Sequence, residues 1–354
     1  MPNVYGERWE VLESLGEGGQ GHVFRVRDLN SPGGEYALKR LKKDKRVGRF
    51  EREIEAVKGV GHPGIIRVVD YSVKLPDPYY VMEYMQGGTL TKHVDSYKGD
   101  ILRSLDVVAR ICDVIRVAHE AKVCHRDLKP GNILFRTEAD DSPVVADFGI
   151  CWMDDGRQFT ASNEVMGARH YTAPEVEAGK AGDFHPPADS YSLGKLLYFM
   201  VSGGRDLPRE QHRSREFDLR ENVGPEDHRS LRSAQLEYVS ELLDHLVDPE
   251  PNTRWYQMDR IQHEVNLRRR LAQEGHCPLI DEMPCKFCGR GVYRVQDRME
   301  LKYSTSAPPG IGHSLRVRSL QCDHCGHLQL FEAGAADGSD EWRRYGARER
   351  PPQD

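Results

Sequence analysis

His125-Arg126-Asp127-Leu128-Lys129-Pro130-Gly131-Asn132 is the stretch that decides how the rest of the chain is read. From Asp127 to Asn132 it offers a carboxylate, a cation at Lys129 and a carboxamide. Moving a phosphoryl group calls for those three: a carboxylate to position a hydroxyl, positive charge for the moving group, and oxygen ligands for magnesium. Downstream, the apolar run Val144-Val145-Ala146 ends in Asp147-Phe148-Gly149. A carboxylate at a strand end, just ahead of a glycine, suits a second metal ligand.

Upstream, Gly16, Gly18 and Gly21 form G-x-G-x-x-G, followed by Val23. Glycines allow a tight turn and let backbone N–H groups approach phosphate oxygens. Alone the pattern is weak, and a plain hairpin explains it as well. A dinucleotide site needs a strand running straight into a helix. Here Val23, Phe24 and Val26 predict a second strand instead. After the turn Ser31-Pro32-Gly33-Gly34 comes the strand Tyr36-Ala37-Leu38-Lys39. Phe50, Ile54 and Val57 then share one helical face, on a helix that also carries Glu53. From there Glu53 can reach Lys39 as an ion pair; taken singly, Lys39 reads as a surface charge. Tyr79 to Tyr84 predicts a strand. Past Gly87-Gly88 the periodicity is helical: Leu105 to His119, Ser190 to Met200, Glu237 to Leu246 and Trp255 to Gln273. Residues 204 to 232 read as a polar surface insertion.

The chain has 354 residues, 38% hydrophobic and 30% charged, enough for two domains and against wholesale disorder. A formal net charge of -6 disfavours nonspecific nucleic-acid binding by the whole molecule. Met1 to Trp9 lack the charged start and apolar run of a secretory signal, and no apolar stretch is long enough to cross a bilayer. The expectation is a cytoplasmic protein without a membrane partner.

With these motifs in order, residues 8 to about 270 resemble a eukaryotic-type protein kinase domain. The resemblance runs through Gly16-x-Gly18-x-x-Gly21-x-Val23, Ala37-Leu38-Lys39, Glu53, His62-Pro63, the octapeptide, Asp147-Phe148-Gly149 and Ala173-Pro174-Glu175. Asp189-x-Tyr191-Ser192-x-Gly194 and Arg254 complete it. It implies an α+β, bilobal fold: a β-rich N-lobe over about 8–85 and an α-helical C-lobe over about 86–272; the cysteines taken up below add a small β zinc ribbon after them. It implies an enzyme that uses ATP and Mg2+ to phosphorylate a protein substrate. Asp127 would be the catalytic base, Asn132 and Asp147 the magnesium ligands. Lys39, held by Glu53, would contact the α- and β-phosphates, and Lys129 the γ-phosphate. Lys129, two places after Asp127, is typical of serine/threonine kinases. Gly16, Gly18, Gly21, Val23, Ala37, Met82, Glu83, Met85 and Leu134 would line the nucleotide site, with Met82 as gatekeeper and 83–85 as the hinge whose backbone binds adenine. Glu175 and Arg254 would form a buried ion pair.

Two departures concern regulation. Many relatives carry a threonine after Gly167 that contacts the catalytic aspartate; this chain has Ala168. Arg126 often binds an activation-loop phosphate in the family, and Glu164 stands near where that phosphate would be. Either Glu164 supplies a standing negative charge to Arg126 or it simply faces solvent. Thr160 and Ser162 remain candidates for modification.

Cys285-Lys286-Phe287-Cys288-Gly289 and Cys322-Asp323-His324-Cys325-Gly326 are two similar knuckles. Two thiolates three positions apart can grip one metal, and two such pairs complete a tetrahedral, structural Zn2+ site. Residues 276–333 thus resemble a zinc ribbon braced by strands at Val292 to Val295 and Leu315 to Leu320. The ribbon could serve a nucleic-acid or protein partner, or only staple its own fold. Residues 334–354 read as a flexible tail. Cys112, Cys124 and Cys151 read as buried thiols. A catalytically silent scaffold, a small-molecule kinase and a ribbon-led nucleic-acid binder are the competing readings.

Overall fold

The computed structural model describes residues 4–18, 21–31, 33–41, 51, 54–55, 57–74, 76–148, 170–180, 182, 184–207, 219, 235–274, 293–303, 313–322, 324–326 and 328–332. By contact the chain divides into two compact units, Met1–Arg215 with Leu242–Asn266, and Glu216–Glu241 with Leu267–Asp354.

The first unit begins with strands β1 (Val4–Tyr5), β2 (Trp9–Gly18), β3 (Gly21–Asp28), β4 (Glu35–Leu41), β5 (Val68–Ser72) and β6 (Tyr79–Glu83). They form one antiparallel sheet in the order β1-β2-β3-β4-β6-β5. Successive side chains of a strand point to opposite faces, and this sheet buries both. Tyr5, Trp9, Phe24, Val26, Leu38, Tyr79 and Val81 pack on one side. Ala37, Tyr80 and Met82 gather with Ile54, Ile66 and Val68 on the other. The register Ala37↔Met82, Leu38↔Val81, Lys39↔Tyr80 is what sorts them. The expected helix after β4 is present where described, at 51, 54–55 and 57–58, and ends with Gly59 N donating to Glu55 O.

Helices follow. α1 (Leu90–His93) runs into a 3₁₀ turn (Val94–Tyr97), then α2 (Ile101–Glu120), α3 (Pro174–Glu177) and α4 (Pro186–Val201). Asp100 caps α2 by accepting from Arg103 N at 3.0 Å, which starts the helix four residues before the apolar periodicity does. α4 packs on α2 and buries 14 of its 16 residues, so it is a core helix rather than an amphipathic one. Between them, β7 (Gly88–Thr89), β8 (Ile133–Phe135) and β9 (Val144–Val145) make a small antiparallel sheet that brackets the octapeptide.

Helices α5 (Glu237–Leu246) and α6 (Met258–Gln273) follow. α6 starts at Met258 instead of the expected Trp255, because Trp255 belongs to the turn before it. Its N–H donates to His245 O at 3.1 Å and its ring stacks on His245 at 3.8 Å. In the second unit, β10 (Tyr293–Tyr303), β11 (His313–Cys322) and β12 (Leu328–Glu332) form an antiparallel sheet in that order. The strand expected at 292–295 falls on β10 from residue 293 onward, residue 292 lying outside the described residues, and the strand expected at 315–320 falls within β11. No helix among the described residues is long and apolar enough to cross a membrane.

Candidate active site

The octapeptide is fixed from below by one carboxylate. Asp189, in the first turn of α4 and fully buried, accepts from His125 N at 2.8 Å and from Arg126 N at 2.7 Å. His119 Nε2 lies 2.8 Å from the same group. Burial works to raise the Asp189 carboxyl. The hydrogen bond and charge of His119 and the Arg126 N–H nevertheless hold it below the usual carboxylate range. Arg126 itself takes φ 64°, a left-handed conformation that a non-glycine residue keeps only where its surroundings impose it.

His125 latches two segments together. Its Nε2 is 2.8 Å from Ala146 O, so that nitrogen carries the proton, and Nδ1 accepts from Asp127 N at 3.2 Å. Burial pushes its pKa down, which favours the neutral ring this arrangement needs. Phe148 packs on the ring at 4.6 Å between centroids. Two donors reach Asp127, Lys129 from just before the turn Pro130–Asn132 and Asn132 from its end. Lys129 Nζ reaches Oδ2 at 2.7 Å. Asn132 Nδ2 reaches Asp127 O at 2.7 Å and Oδ2 at 3.1 Å. With its nitrogen so committed, Asn132 presents Oδ1 as an acceptor, and no donor to that oxygen is found among the described residues.

Asp147 follows β9 at φ 60°. Lys39 Nζ meets its Oδ2 at 2.5 Å, and the Tyr80 hydroxyl donates to its Oδ1. Burial works to raise this carboxyl; the charge and hydrogen bond of Lys39, the Tyr80 hydroxyl and the charge of Lys129 keep it low. Asp147 and Asn132 are hard oxygen donors, the chemistry Mg2+ prefers, so these residues fit that ion.

Of the residues expected at the nucleotide, Ala37, Met82 and Met85 are buried in one cluster, with Val23 and Leu134 packed against it. That cluster joins the large sheet to the β8–β9 region, where Val144 and Ala146 also sit. Gly16, Gly18 and Gly21 lie at the end of the β2–β3 hairpin, Gly16 opposite Val23 and Gly18 opposite Gly21. A strand therefore follows the glycines, as expected. The Glu83 carboxylate accepts from Arg67 Nε at 2.6 Å, and the Glu83 N–H donates to Arg67 O at 3.2 Å. Glu175 and Arg254 form the expected buried ion pair, and the structure makes it bidentate, at 2.7 and 3.1 Å. Glu53, Thr160, Ser162, Glu164, Ala168, Cys151, Cys285 and Cys288 lie outside the described residues. Cys322 ends β11, and Cys325 is exposed.

The sequence reading missed Tyr80, which looks like one more apolar-strand aromatic. Only its register opposite Lys39 puts its hydroxyl on the side of Asp147. The same reading missed the role of His125 as a latch.

A profile of the protein kinase domain family matches residues 9–265. The serine/threonine-protein kinase PknB of Mycobacterium tuberculosis is 34% identical over 215 residues, 57% of this chain and 33% of its own length. The curated relatives are longer proteins: the chain spans 29% to 50% of their length. Among solved structures, the PknI kinase domain of Mycobacterium tuberculosis aligns with a TM-score of 0.55 at 24% identity, covering 76% of this chain and 99% of that one. Rad53 1-466 in complex with AMP-PNP aligns with a TM-score of 0.56 at 23% identity, over 73% of this chain and 65% of that one. The structural likeness shows the fold, a β-sheet N-lobe followed by a helical C-lobe.

Proposed function

Because the chain belongs to the protein kinase domain family, we propose that it is a serine/threonine protein kinase, transferring the γ-phosphoryl group of ATP to hydroxyls of a protein substrate. The observation that carries this reading is the Asp127 cluster, a carboxylate oriented by Lys129 and Asn132. Asp127 positions the attacking hydroxyl and takes its proton as the new P–O bond forms and the bond to the ADP oxygen breaks. Lys129, whose Nζ lies 2.7 Å from Asp127 Oδ2, would meet charge on the transferring group. Asn132 Oδ1 and the Asp147 carboxylate would hold Mg2+. Magnesium, when bound, neutralises phosphate charge. Lys39 supplies a cation for the α- and β-phosphates, and Glu53 is the partner proposed to aim it. Val23, Ala37, Met82, Met85 and Leu134 give adenine an apolar slot, with the 83–85 backbone for its polar edge. The serine/threonine preference is supported by Lys129 and by the names of relatives such as PknB. That Rad53 was crystallised with AMP-PNP supports an adenine nucleotide.

Around this core, the reading keeps a kinase domain over 8–272 and a cytoplasmic site of action. Glu164, or a phosphate on Thr160 or Ser162, would face Arg126. For 276–333 it keeps a structural zinc ribbon on Cys285, Cys288, Cys322 and Cys325. Three features support the ribbon: the paired Cys-x-x-Cys motifs, the β10–β12 sheet, and Gly326 at φ 72° just after Cys325, as a knuckle turn requires. One zinc per chain by metal analysis, lost on replacing Cys285 and Cys288 with serine, is the expected result. A zinc-free chain with the same β10–β12 sheet would end the ribbon reading.

The central test is incubation with labelled ATP and Mg2+ beside Asp127→Asn, with the labelled residues mapped. Label on serine or threonine, absent in the variant, is expected. Label that persists in Asp127→Asn would show that a contaminant did the work, and no label on any protein substrate would overturn the reading.

A further inference from the structure

Tyr80 is fully buried on β6, within the apolar cluster of Ala37, Ile54, Ile66, Val68 and Met82. A tyrosine hydroxyl in such surroundings costs stability unless it finds a partner. Its partner is Asp147 Oδ1. The placement follows from register: Tyr80 stands directly opposite Lys39 across β4 and β6, so both side chains leave the sheet on one face. Between them they divide the carboxylate, the phenol on Oδ1 and the ammonium on Oδ2 at 2.5 Å.

The two donors differ in freedom. Lys39 ends in a compact ammonium on a flexible stem that can swing to other oxygens. Tyr80 is a rigid ring held in the core, and its hydroxyl cannot follow. When Lys39 turns toward phosphate, Oδ2 is released while Oδ1 stays anchored.

We propose that Tyr80 is a positioning residue for metal binding: its hydroxyl locks the rotation of the Asp147 carboxylate so that Oδ2 is the oxygen presented to magnesium. The inference rests on the kinase reading above. A hydrogen bond that orients a ligating side chain typically matters by about 10–100-fold in metal affinity. A single phenol on one of several ligands belongs at the lower end of that range.

The test uses the full chain and Tyr80→Phe, which keeps the ring in the core and removes only the hydroxyl. Calorimetry measures ADP binding in EDTA and again across a magnesium series. Equal ADP affinity in EDTA is expected for both proteins, since the apolar slot is untouched. Magnesium should tighten the wild-type complex, and the concentration needed should rise about ten-fold in Tyr80→Phe. The magnesium requirement for turnover at saturating ATP should rise by the same factor. If Tyr80→Phe needs the same or less magnesium, the inference is overturned and the kinase reading stands. If the wild-type protein shows no magnesium effect on nucleotide binding, both fall together.

Discussion

At the scale of single residues, the site is a set of donors pointed by their neighbours. Asp127 Oδ2 is held by a lysine and an amide, and its own N–H by a histidine ring. That ring works only as the neutral form with the proton on Nε2, because protonating Nδ1 would remove the acceptor for Asp127 N. Burial supplies the needed bias by lowering the His125 pKa. Burial likewise disarms the two described thiols of this unit. Cys112 lies in α2 with no exposure, and its pKa is pushed far up. Cys124, just before the octapeptide, is pushed up to about 12. Thiolate is the reactive form. Iodoacetamide at pH 8 should therefore leave both unmodified in the folded protein and modify both in denaturant. Rapid labelling of either in the native state would contradict their burial.

At the scale of elements, α4 is the part least free to change. Gly194 lets the chain around Leu246 and Val247 approach it: a Cβ there would come within 2.6 Å of Val247 Cγ2 and 2.9 Å of Leu246 Cβ. Gly194→Ala should overpack this contact, at a cost of about 1–3 kcal/mol. Thermal unfolding would register that as a fall of roughly 2–12 °C, at about 2–4 °C per kcal/mol for a domain of this size. An unchanged Tm would mean the neighbours yield easily. α4 also shows what was legible in advance. Its core run Ser190 to Met200 and the motif Asp189-x-Tyr191-Ser192-x-Gly194 gave its place, though not the helical turn before them, where Pro186 and Pro187 supply preset φ angles. The β-rich start and the motif residues were readable because each carries a local signal: alternation, glycine spacing, a carboxylate at a strand end. β1 has only two residues and no periodicity to read. The Tyr80 hydroxyl was illegible for another reason. Its meaning lies in a pairing across strands and in Asp147, 67 positions away. Neither is a property of its own segment.

At the scale of the whole molecule, the buried charges set a direction for acid stability. Asp147, Glu175 and Asp189 all titrate below their ordinary range in the fold. A carboxylate depressed by folding stabilises above its unfolded pKa, and that contribution fades as pH falls toward the folded value. His125 is depressed from 6.5, so the unfolded chain takes up its proton first as pH drops. Both effects have the same sign. Tm should decline from about pH 6.5 downward and more steeply below about pH 4. A Tm that holds or rises between pH 6.5 and 5 would show that other groups dominate. The edge of the large sheet carries a practical lesson for anyone cutting this protein down to size. The kinase-family match opens at residue 9. Yet Tyr5 packs edge-on against Tyr79 at 5.6 Å, and Arg8 grips the buried Asp28 through two hydrogen bonds of 2.9 and 2.6 Å. A fragment trimmed to that textual border would leave β2 as a bare rim, open to pairing with another chain. It should melt earlier and self-associate more than the full chain by calorimetry and light scattering, so the recipe for a well-behaved sample has to include the short strand that the family outline leaves off.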